Sequence, residues 1–193
     1  MRHCSIVVPP LLVLRSTMKN ILVTGRPGIG KTSVVGAVAR EFPHVAGGFT
    51  TSEIREDGVR KGFRLTTLEG KSAVLAHVDL AGRVRVGKYR VDVAAFERLG
   101  LPELQHAILR HRMVVIDEIG KMELASKLFC GVVQKALDSP VIVLATVMER
   151  RHPFVDQIKR RPDVVIFELT LENRNNLPVT ITERIREELQ QNR

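Results

Sequence analysis

A glycine-rich segment directly after a short apolar run most constrains how this chain can fold. Residues 21–24 form the run, and the next eight residues fit the pattern G-x-x-x-x-G-K-[ST] at every fixed position: Gly25, Arg26, Pro27, Gly28, Ile29, Gly30, Lys31 and Thr32. Glycines let backbone N–H groups turn inward around phosphates, and the N-terminus of a following helix adds donors. Residues 31–42 supply this helix, because their apolar residues fall on one helical face. The segment therefore predicts a strand, a phosphate-binding loop and a helix in succession.

A second apolar run, residues 113–116, ends in the acids Asp117 and Glu118. Charges at the end of a buried strand cost free energy unless they serve a ligand or a partner. Beside a phosphate-binding loop, such an aspartate holds Mg²⁺, and the next glutamate can polarise a water aimed at the γ-phosphorus. We therefore predict Lys31 and Glu118 as catalytic residues, and Thr32 and Asp117 as ligands of Mg²⁺ bound with a nucleotide. The alternative is that either acid only caps the helix that follows.

Apolar strands alternate with amphipathic helices along the rest of the chain, which predicts an α/β domain on a largely parallel sheet. Two further buried strands are predicted at residues 141–145 and 164–167. Helices are predicted at residues 122–137 and from Pro178 onward, and residues 92–110 are predicted to form one or two helices interrupted at Gly100 and Pro102.

A β-hairpin insertion is predicted around residues 45–68. Asp57-Gly58 lies there between two strand-like runs, and an Asp-Gly pair is a strong hairpin signal because both turn residues need positive φ. Residues 71–91 are predicted as short strands and loops.

Residues 1–17 are predicted to be a poorly ordered extension, with the domain spanning residues 18–193. The apolar stretch at residues 6–14 contains two prolines, and nine residues are fewer than the roughly 20 that span a bilayer, so no membrane association is predicted. Cys4 and Cys130 cannot build a disulfide framework, which favours a reducing, cytoplasmic location.

The chain is basic, with a formal net charge of +9, and most of the excess lies in residues 1–110. A basic half attracts polyanions, although a solvated surface explains the charge equally well. The chain has no Trp and a single Tyr, and it carries no nucleic-acid-binding motif. Binding to nucleic acid is therefore possible but unsupported.

Weaker candidates surround the two motifs. Tyr89 and Arg174 are predicted as possible contacts for the base or the phosphates, and Arg26 and Lys121 are bases that can neutralise phosphate charge. Thr146, at the end of a predicted strand, is placed near the γ-phosphate or the attacking water. For each of them the alternative is an ordinary structural or surface role. The six histidines show no metal-ligand spacing, so no metal site made by the protein alone is predicted.

Six segments occur in an order that resembles a known family, the P-loop nucleoside-triphosphate phosphatases of thermophiles, whose vertebrate relative is called cancer-related nucleoside-triphosphatase. The segments are residues 25–32, 48–55, 62–63, 86–89, 117–123 and 172–174. The resemblance runs from about Met18 to the C-terminus and does not extend to the first 17 residues. It implies the three-layer sandwich of P-loop NTPases and Mg²⁺-dependent hydrolysis of ATP, GTP and other triphosphates to the diphosphate. It also implies nucleotide-binding roles for the loop and for Met113, Val114, Val115, Ile116, Asp117, Glu118, Ile119 and Gly120.

Two other functions share these motifs. A nucleotide or polynucleotide kinase has the same loop and acidic pair, and it differs by having an acceptor pocket and a lid that excludes water. An RNA-associated switch controlled by nucleotide state is the third possibility, and it would show salt-dependent RNA binding.

The substrate is a nucleoside triphosphate in the favoured interpretation, and a monomer is plausible.

Overall fold

The computed structural model describes residues 18–191, in which nine strands form one mixed sheet. The strands are β1 (Asn20–Thr24), β2 (Ala46–Glu56), β3 (Val59–Thr67), β4 (Ser72–His77), β5 (Arg85–Val86), β6 (Tyr89–Val91), β7 (Met113–Ile119), β8 (Ile142–Val147) and β9 (Val164–Glu168). The α-helices in these residues are α1 (Lys31–Arg40), α2 (Val93–Arg110), α3 (Phe129–Asp138), α4 (Pro153–Lys159) and α5 (Leu177–Gln191).

The spatial order of the strands is β5-β6-β4-β3-β2-β7-β8-β1-β9. The run from β2 to β9 is parallel, and the run from β5 to β2 is antiparallel. The carboxyl ends of β1, β7 and β8 therefore lie side by side at one edge of the sheet. At this edge the chain leaves β1 for the glycine-rich loop and leaves β7 after the two acids.

Helices cover both faces of the sheet. Alternate residues of the central strands point to opposite faces, so Ile21 packs with α1 and α5 while Leu22 packs with α2 and α3. The predicted α/β architecture, a three-layer sandwich with a parallel central sheet, is confirmed.

The predicted hairpin is confirmed as β2 and β3. Its turn residues Asp57 and Gly58 have φ angles of 48° and 76°, as the Asp-Gly signal requires. The insertion is longer than predicted, because β4, β5 and β6 continue the antiparallel pairing.

Two helix predictions were wrong. Helix α2 runs without interruption through Pro102, because buried residues on both sides of it pack on the sheet, and Gly100 leaves room for the Phe96 ring. The helix predicted at residues 122–137 is divided into a 3₁₀ turn, Glu123–Ala125, and α3. Ser126 between them has an extended backbone, and its hydroxyl donates to Glu97 at 2.7 Å.

Helix α4 was not predicted, since it has only seven residues and buries two apolar side chains, Val155 and Ile158. The prediction that residues 1–17 form an extension lies outside the described residues.

Candidate functional site

The glycine-rich loop joins β1 to α1 at the carboxyl edge of the sheet. Gly28 and Gly30 have φ angles of 78° and 110°, a left-handed conformation that residues with a Cβ rarely adopt. Gly25 has no room for a side chain, because a Cβ there would lie 2.8 Å from the carbonyl oxygen of Leu169. These glycines let the backbone curve tightly into the start of α1, as a phosphate cradle requires.

Lys31, the first residue of α1, is directed back across the loop. Its Nζ donates to the carbonyl oxygen of Gly25 at 2.9 Å and to that of Arg26 at 3.4 Å. The same Nζ lies 3.8 Å from Oε1 of Glu118, so the two residues predicted as catalytic face each other. The side chain of Lys31 is 11 % exposed, which places this cation in a partly desolvated position where its attraction for phosphate is strengthened.

Asp117 lies at the centre of a hydrogen-bond network at the end of β7, and it is almost fully buried. Its Oδ1 accepts from the hydroxyl of Thr146 at 2.7 Å and from that of Thr32 at 3.2 Å. Its Oδ2 accepts from the backbone N–H of Thr51 at 3.1 Å and from the Thr51 hydroxyl at 3.3 Å. Four donors thus hold the carboxylate in place, and they come from α1, β2 and β8.

These hydroxyl and carboxylate oxygens are the hard ligands that Mg²⁺ prefers. Thr32 and Asp117 come within hydrogen-bond distance of each other, as neighbouring ligands of one octahedral cation do, so the residues present fit the ion. Thr146 also lies here, against Asp117. Thr51 was not predicted, because only the pairing of β2 with β7 brings it to the site. It lies in segment 48–55, one of the six that carry the family resemblance, and that membership could have identified it as a candidate.

Two further carboxylates crowd the end of β7. Burial raises the pKa of Glu118, Lys31 opposes the rise, and the charge of Asp117 adds to it. Complete burial raises the pKa of Glu123 to about 8, backbone hydrogen bonds oppose this rise, and the charges of Glu118 and Asp117 reinforce it. A Cβ at Gly120 would lie 2.9 Å from Oε2 of Glu118 and 3.1 Å from Oε2 of Glu123, so this glycine makes room for both carboxyl groups.

We expect Glu123→Gln to flatten the pH dependence of stability between pH 5 and 8. The folded state binds a proton at Glu123 more tightly than the unfolded state does, so wild-type stability falls as the pH rises from about 4.5 toward 8. Glutamine stays neutral and escapes this loss. Thermal unfolding of both proteins at pH 6 and pH 8 measures the difference, and equal losses of Tm in the two proteins would contradict the assignment.

A cleft of about 820 Å³ connects these residues. On one side it is lined by the loop, and on the other by the antiparallel part of the sheet. The predicted site residues that line it are Gly25, Pro27, Gly28, Gly30, Lys31, Thr32, Asp117, Glu118, Lys121 and Thr146. The lining residues that were not predicted include Thr51, Ser52, Glu53, Arg60, Phe63, Leu75, Val86, Gly87, Met122, Met148, Glu149 and Arg150.

Other predicted residues lie beside the cleft or behind it. Met113, Val114, Val115 and Ile116 are fully buried in β7, and Ile119 follows them at the end of the strand. They hold the two acids at the sheet edge, and their direct binding of nucleotide stays a prediction. Arg26 and Ile29 belong to the loop, where the N–H of Ile29 donates to the carbonyl of Arg26 at 3.3 Å.

The two predicted base contacts differ in exposure. Tyr89 is buried; its ring packs edge-on against Phe63, and its hydroxyl accepts from Nε of Arg60 at 2.9 Å. Arg174 is exposed in the turn that follows β9, the strand that pairs with β1. Whether either residue contacts a nucleotide stays a prediction.

One group of potential metal ligands lies away from the cleft in the described part of the chain. Ligand atoms of Glu69, Glu103 and His106 come within 4.8 Å of one another. Glu69 lies far along the chain from Glu103 and His106, so residue spacing does not predict this group. Glu69 already has a cationic partner, since Nζ of Lys71 lies 2.9 Å from it.

Comparison with known proteins gives consistent matches. A sequence model of the NTPase family matches residues 20–182. Nucleoside-triphosphatase THEP1 of Thermotoga sp. (strain RQ2) is 49 % identical over 157 residues, which are 81 % of this chain and 90 % of that protein. Human cancer-related nucleoside-triphosphatase is 39 % identical over 175 residues, which are 82 % of this chain and 92 % of the human protein.

Solved structures agree with the sequence matches. The crystal structure of THEP1 from Aquifex aeolicus superimposes with a TM-score of 0.81 at 39 % identity, covering 86 % of this chain and 98 % of that one. The solution structure of the human protein gives a TM-score of 0.74 at 38 % identity, with 87 % and 97 % covered. No helix among residues 18–191 is both long and apolar enough to cross a membrane. The matched family model, the identity over most of both chains and the shared fold together establish that this chain belongs to the NTPase family.

Proposed function

We propose that this protein hydrolyses nucleoside 5′-triphosphates, ATP and GTP among them, to the diphosphate and phosphate with Mg²⁺ as cofactor. The observation that carries the proposal is the placement of Lys31 and Glu118 3.8 Å apart beside the hydrogen-bonded Asp117, at the mouth of the glycine-rich loop. Several relatives are named nucleoside-triphosphatases, which supports the same reaction.

Each residue has a part in this reaction. The loop N–H groups and Lys31 bind the β- and γ-phosphates and stabilise the charge that builds up between them. Thr32 and Asp117 would hold Mg²⁺, which when bound would neutralise charge on the phosphate oxygens. Glu118 orients a water for in-line attack and accepts its proton. Its raised pKa makes this carboxylate a stronger base than a solvated glutamate, because Brønsted behaviour favours a base whose pKa approaches the working pH.

The preference for the base is proposed to be loose. The groups that hydrogen bonds fix in place lie around Asp117, whereas Arg174, a candidate contact for the base or the phosphates, has an exposed side chain that can adapt to different bases. The proposed location is the cytoplasm. Two cysteines cannot build a disulfide framework, which favours a reducing environment, and nucleoside triphosphates are abundant there.

Product analysis tests the proposal. We expect free phosphate from ATP and GTP in the presence of Mg²⁺ with no other acceptor, and loss of nearly all of it when EDTA removes the metal. Adding Mg²⁺ back should restore the rate. Phosphate release that EDTA leaves unchanged would contradict the assigned cofactor, and no release from any triphosphate would contradict the assigned reaction.

A further inference from the structure

Three potential metal ligands meet where α2 packs beside the turn between β3 and β4, and none of them lines the cleft. Glu103 and His106 are three residues apart on α2, a spacing that places both side chains on one face of the helix. Glu69 lies in the turn, and one ligand atom from each of the three residues lies within 4.8 Å of the other two. A helix face and a turn thus bring two carboxylates and an imidazole together.

The backbone of Gly48, in β2, fixes the turn and the helix relative to each other. Its carbonyl oxygen accepts from the N–H of Leu68 at 2.8 Å, and its own N–H donates to Oε1 of Glu103 at 3.4 Å. Both contacts use one residue, so the turn and the helix cannot move apart without breaking one of them. The chain that carries Glu69 is therefore held beside α2 by the fold itself.

Glu103 is a buried carboxylate with little compensation for its charge. It is 6 % exposed, and its one hydrogen bond within residues 18–191 is the 3.4 Å contact from Gly48 to Oε1. In the same part of the chain Oε2 accepts no hydrogen bond, and no Lys, Arg or His nitrogen forms an ion pair with either oxygen. Burial of a carboxylate costs free energy unless hydrogen bonds or a cation compensate its charge. A bound cation would supply what this carboxylate lacks.

Glu69 uses its two oxygens separately. Nζ of Lys71 donates to Oε2 at 2.9 Å, whereas Oε1 lies 3.9 Å from Nδ1 of His106. The hydrogen bond from Lys71 lowers the pKa of Glu69 and keeps this carboxyl ionised, as a metal ligand must be. Two atoms that each lie about 2.1 Å from one Zn²⁺ are at most about 4.2 Å apart, so Oε1 and Nδ1 are already spaced for one ion.

We propose that Glu69, Glu103 and His106 bind a divalent transition-metal ion, with Zn²⁺ as the best match, and that the ion joins the turn between β3 and β4 to α2. Zn²⁺ accepts carboxylate oxygens and imidazole nitrogens together, with a water as the fourth ligand. Mg²⁺ and Ca²⁺ prefer oxygen ligands alone, so the imidazole disfavours them. The small shift needed to reach Glu103 falls on Glu69 and His106, whose side chains are about half exposed.

The pairing of Lys71 with Glu69 does not block the ion. Lys71 binds the oxygen that does not face His106, and both members of the pair are exposed. Exposed ion pairs contribute little free energy, so the ammonium moves aside at little cost when a cation binds.

The test measures Zn²⁺ binding to the full chain by isothermal titration calorimetry and its effect on Tm by thermal unfolding. Both measurements contain millimolar Mg²⁺, which competes for the hydroxyl and carboxylate oxygens of Thr32 and Asp117. We expect Zn²⁺ to bind in this excess of Mg²⁺ and to raise Tm, because an ion that binds only the folded chain stabilises it.

Three variants locate the ion. His106→Ala removes the nitrogen ligand and should weaken Zn²⁺ binding at least tenfold, since even a partner outside the ligand set typically contributes about 10–100-fold to metal affinity. Glu103→Gln keeps the size of the buried side chain but removes its charge, and it should weaken binding to a similar extent. His44→Ala is the matched control, because His44 is also exposed and belongs to no such group in the described chain. It should bind Zn²⁺ as wild type does.

The outcomes decide the inference without reference to hydrolysis. Loss of affinity and of the Tm gain in both His106→Ala and Glu103→Gln, but not in His44→Ala, supports it. Wild-type affinity in either of the first two variants overturns it, because the ion then binds elsewhere on the chain. Absence of Zn²⁺ binding to the wild-type protein overturns it as well. Failure of the proposed triphosphatase reaction leaves all of these measurements unaffected.

Discussion

Replacing Lys31 with alanine is expected to lower the rate of triphosphate hydrolysis by about 10²–10³-fold, the usual loss when one preorganised electrostatic stabiliser is removed from an active site. Lys31 is the cation that the loop holds at the proposed phosphate site, through hydrogen bonds to the carbonyls of Gly25 and Arg26. Charge builds up on the β–γ bridging oxygen as the bond breaks. Loss of the Lys31 cation therefore destabilises the transition state as well as weakening triphosphate binding.

Steady-state phosphate release and equilibrium binding of a non-hydrolysable analogue measure the two effects. Lys127→Ala is a suitable control, because Lys127 is equally charged but exposed and outside the cleft. A folded Lys31→Ala variant with a rate within a few-fold of wild type would show that the loop is not the phosphate site.

The second large effect separates the two acids at the end of β7. Glu118→Gln is expected to bind MgATP and to hydrolyse it about 10²–10⁴-fold more slowly, because an amide can still hydrogen-bond a water but cannot accept its proton. Asp117→Asn is expected to lose the Mg²⁺-dependent part of ATP binding. Its carboxylate charge, held by Thr32, Thr51 and Thr146, matters already before the reaction begins.

The two variants are compared by ATP binding with and without Mg²⁺ and by single-turnover hydrolysis. Normal turnover in Glu118→Gln would show that another residue positions the water, and the buried Glu123 beside it would be examined first. Binding to Asp117→Asn that depends on Mg²⁺ as strongly as binding to wild type would contradict a role in holding the cation.

The predictable parts of the fold and the site are those whose conformation or chemistry is determined within one short segment. The loop needs glycines at fixed positions before a helix, and Asp117 and Glu118 are conspicuous because charged residues rarely end a buried strand. The Asp57-Gly58 turn is local in the same sense, since two residues and their φ angles define it.

The parts that could not be predicted depend on pairing between distant segments. Thr51 reaches Asp117, 66 residues further along the chain, only because β2 pairs with β7. Phe63 and Val86 come to the same side of the cleft through the antiparallel pairings that follow β2. The continuous helix α2 is a similar case, since the cost of Pro102 inside a helix is offset by burial that no local pattern reports.

The length of β2 has a consequence for how the molecule can be divided. Its first residues, Ala46 to Phe49, pair with β7 in the parallel part, and the rest, from Phe49 to Glu56, pair with β3. One continuous core also runs under both parts, joining Leu65 and Leu75 to Val114 and Ile116. The loop side of the cleft, where phosphate binding is proposed, and its antiparallel side are therefore not separable modules. An insertion at the exposed Asp57-Gly58 tip leaves both intact, whereas a break near Phe49 severs the strand that sets the distance between them.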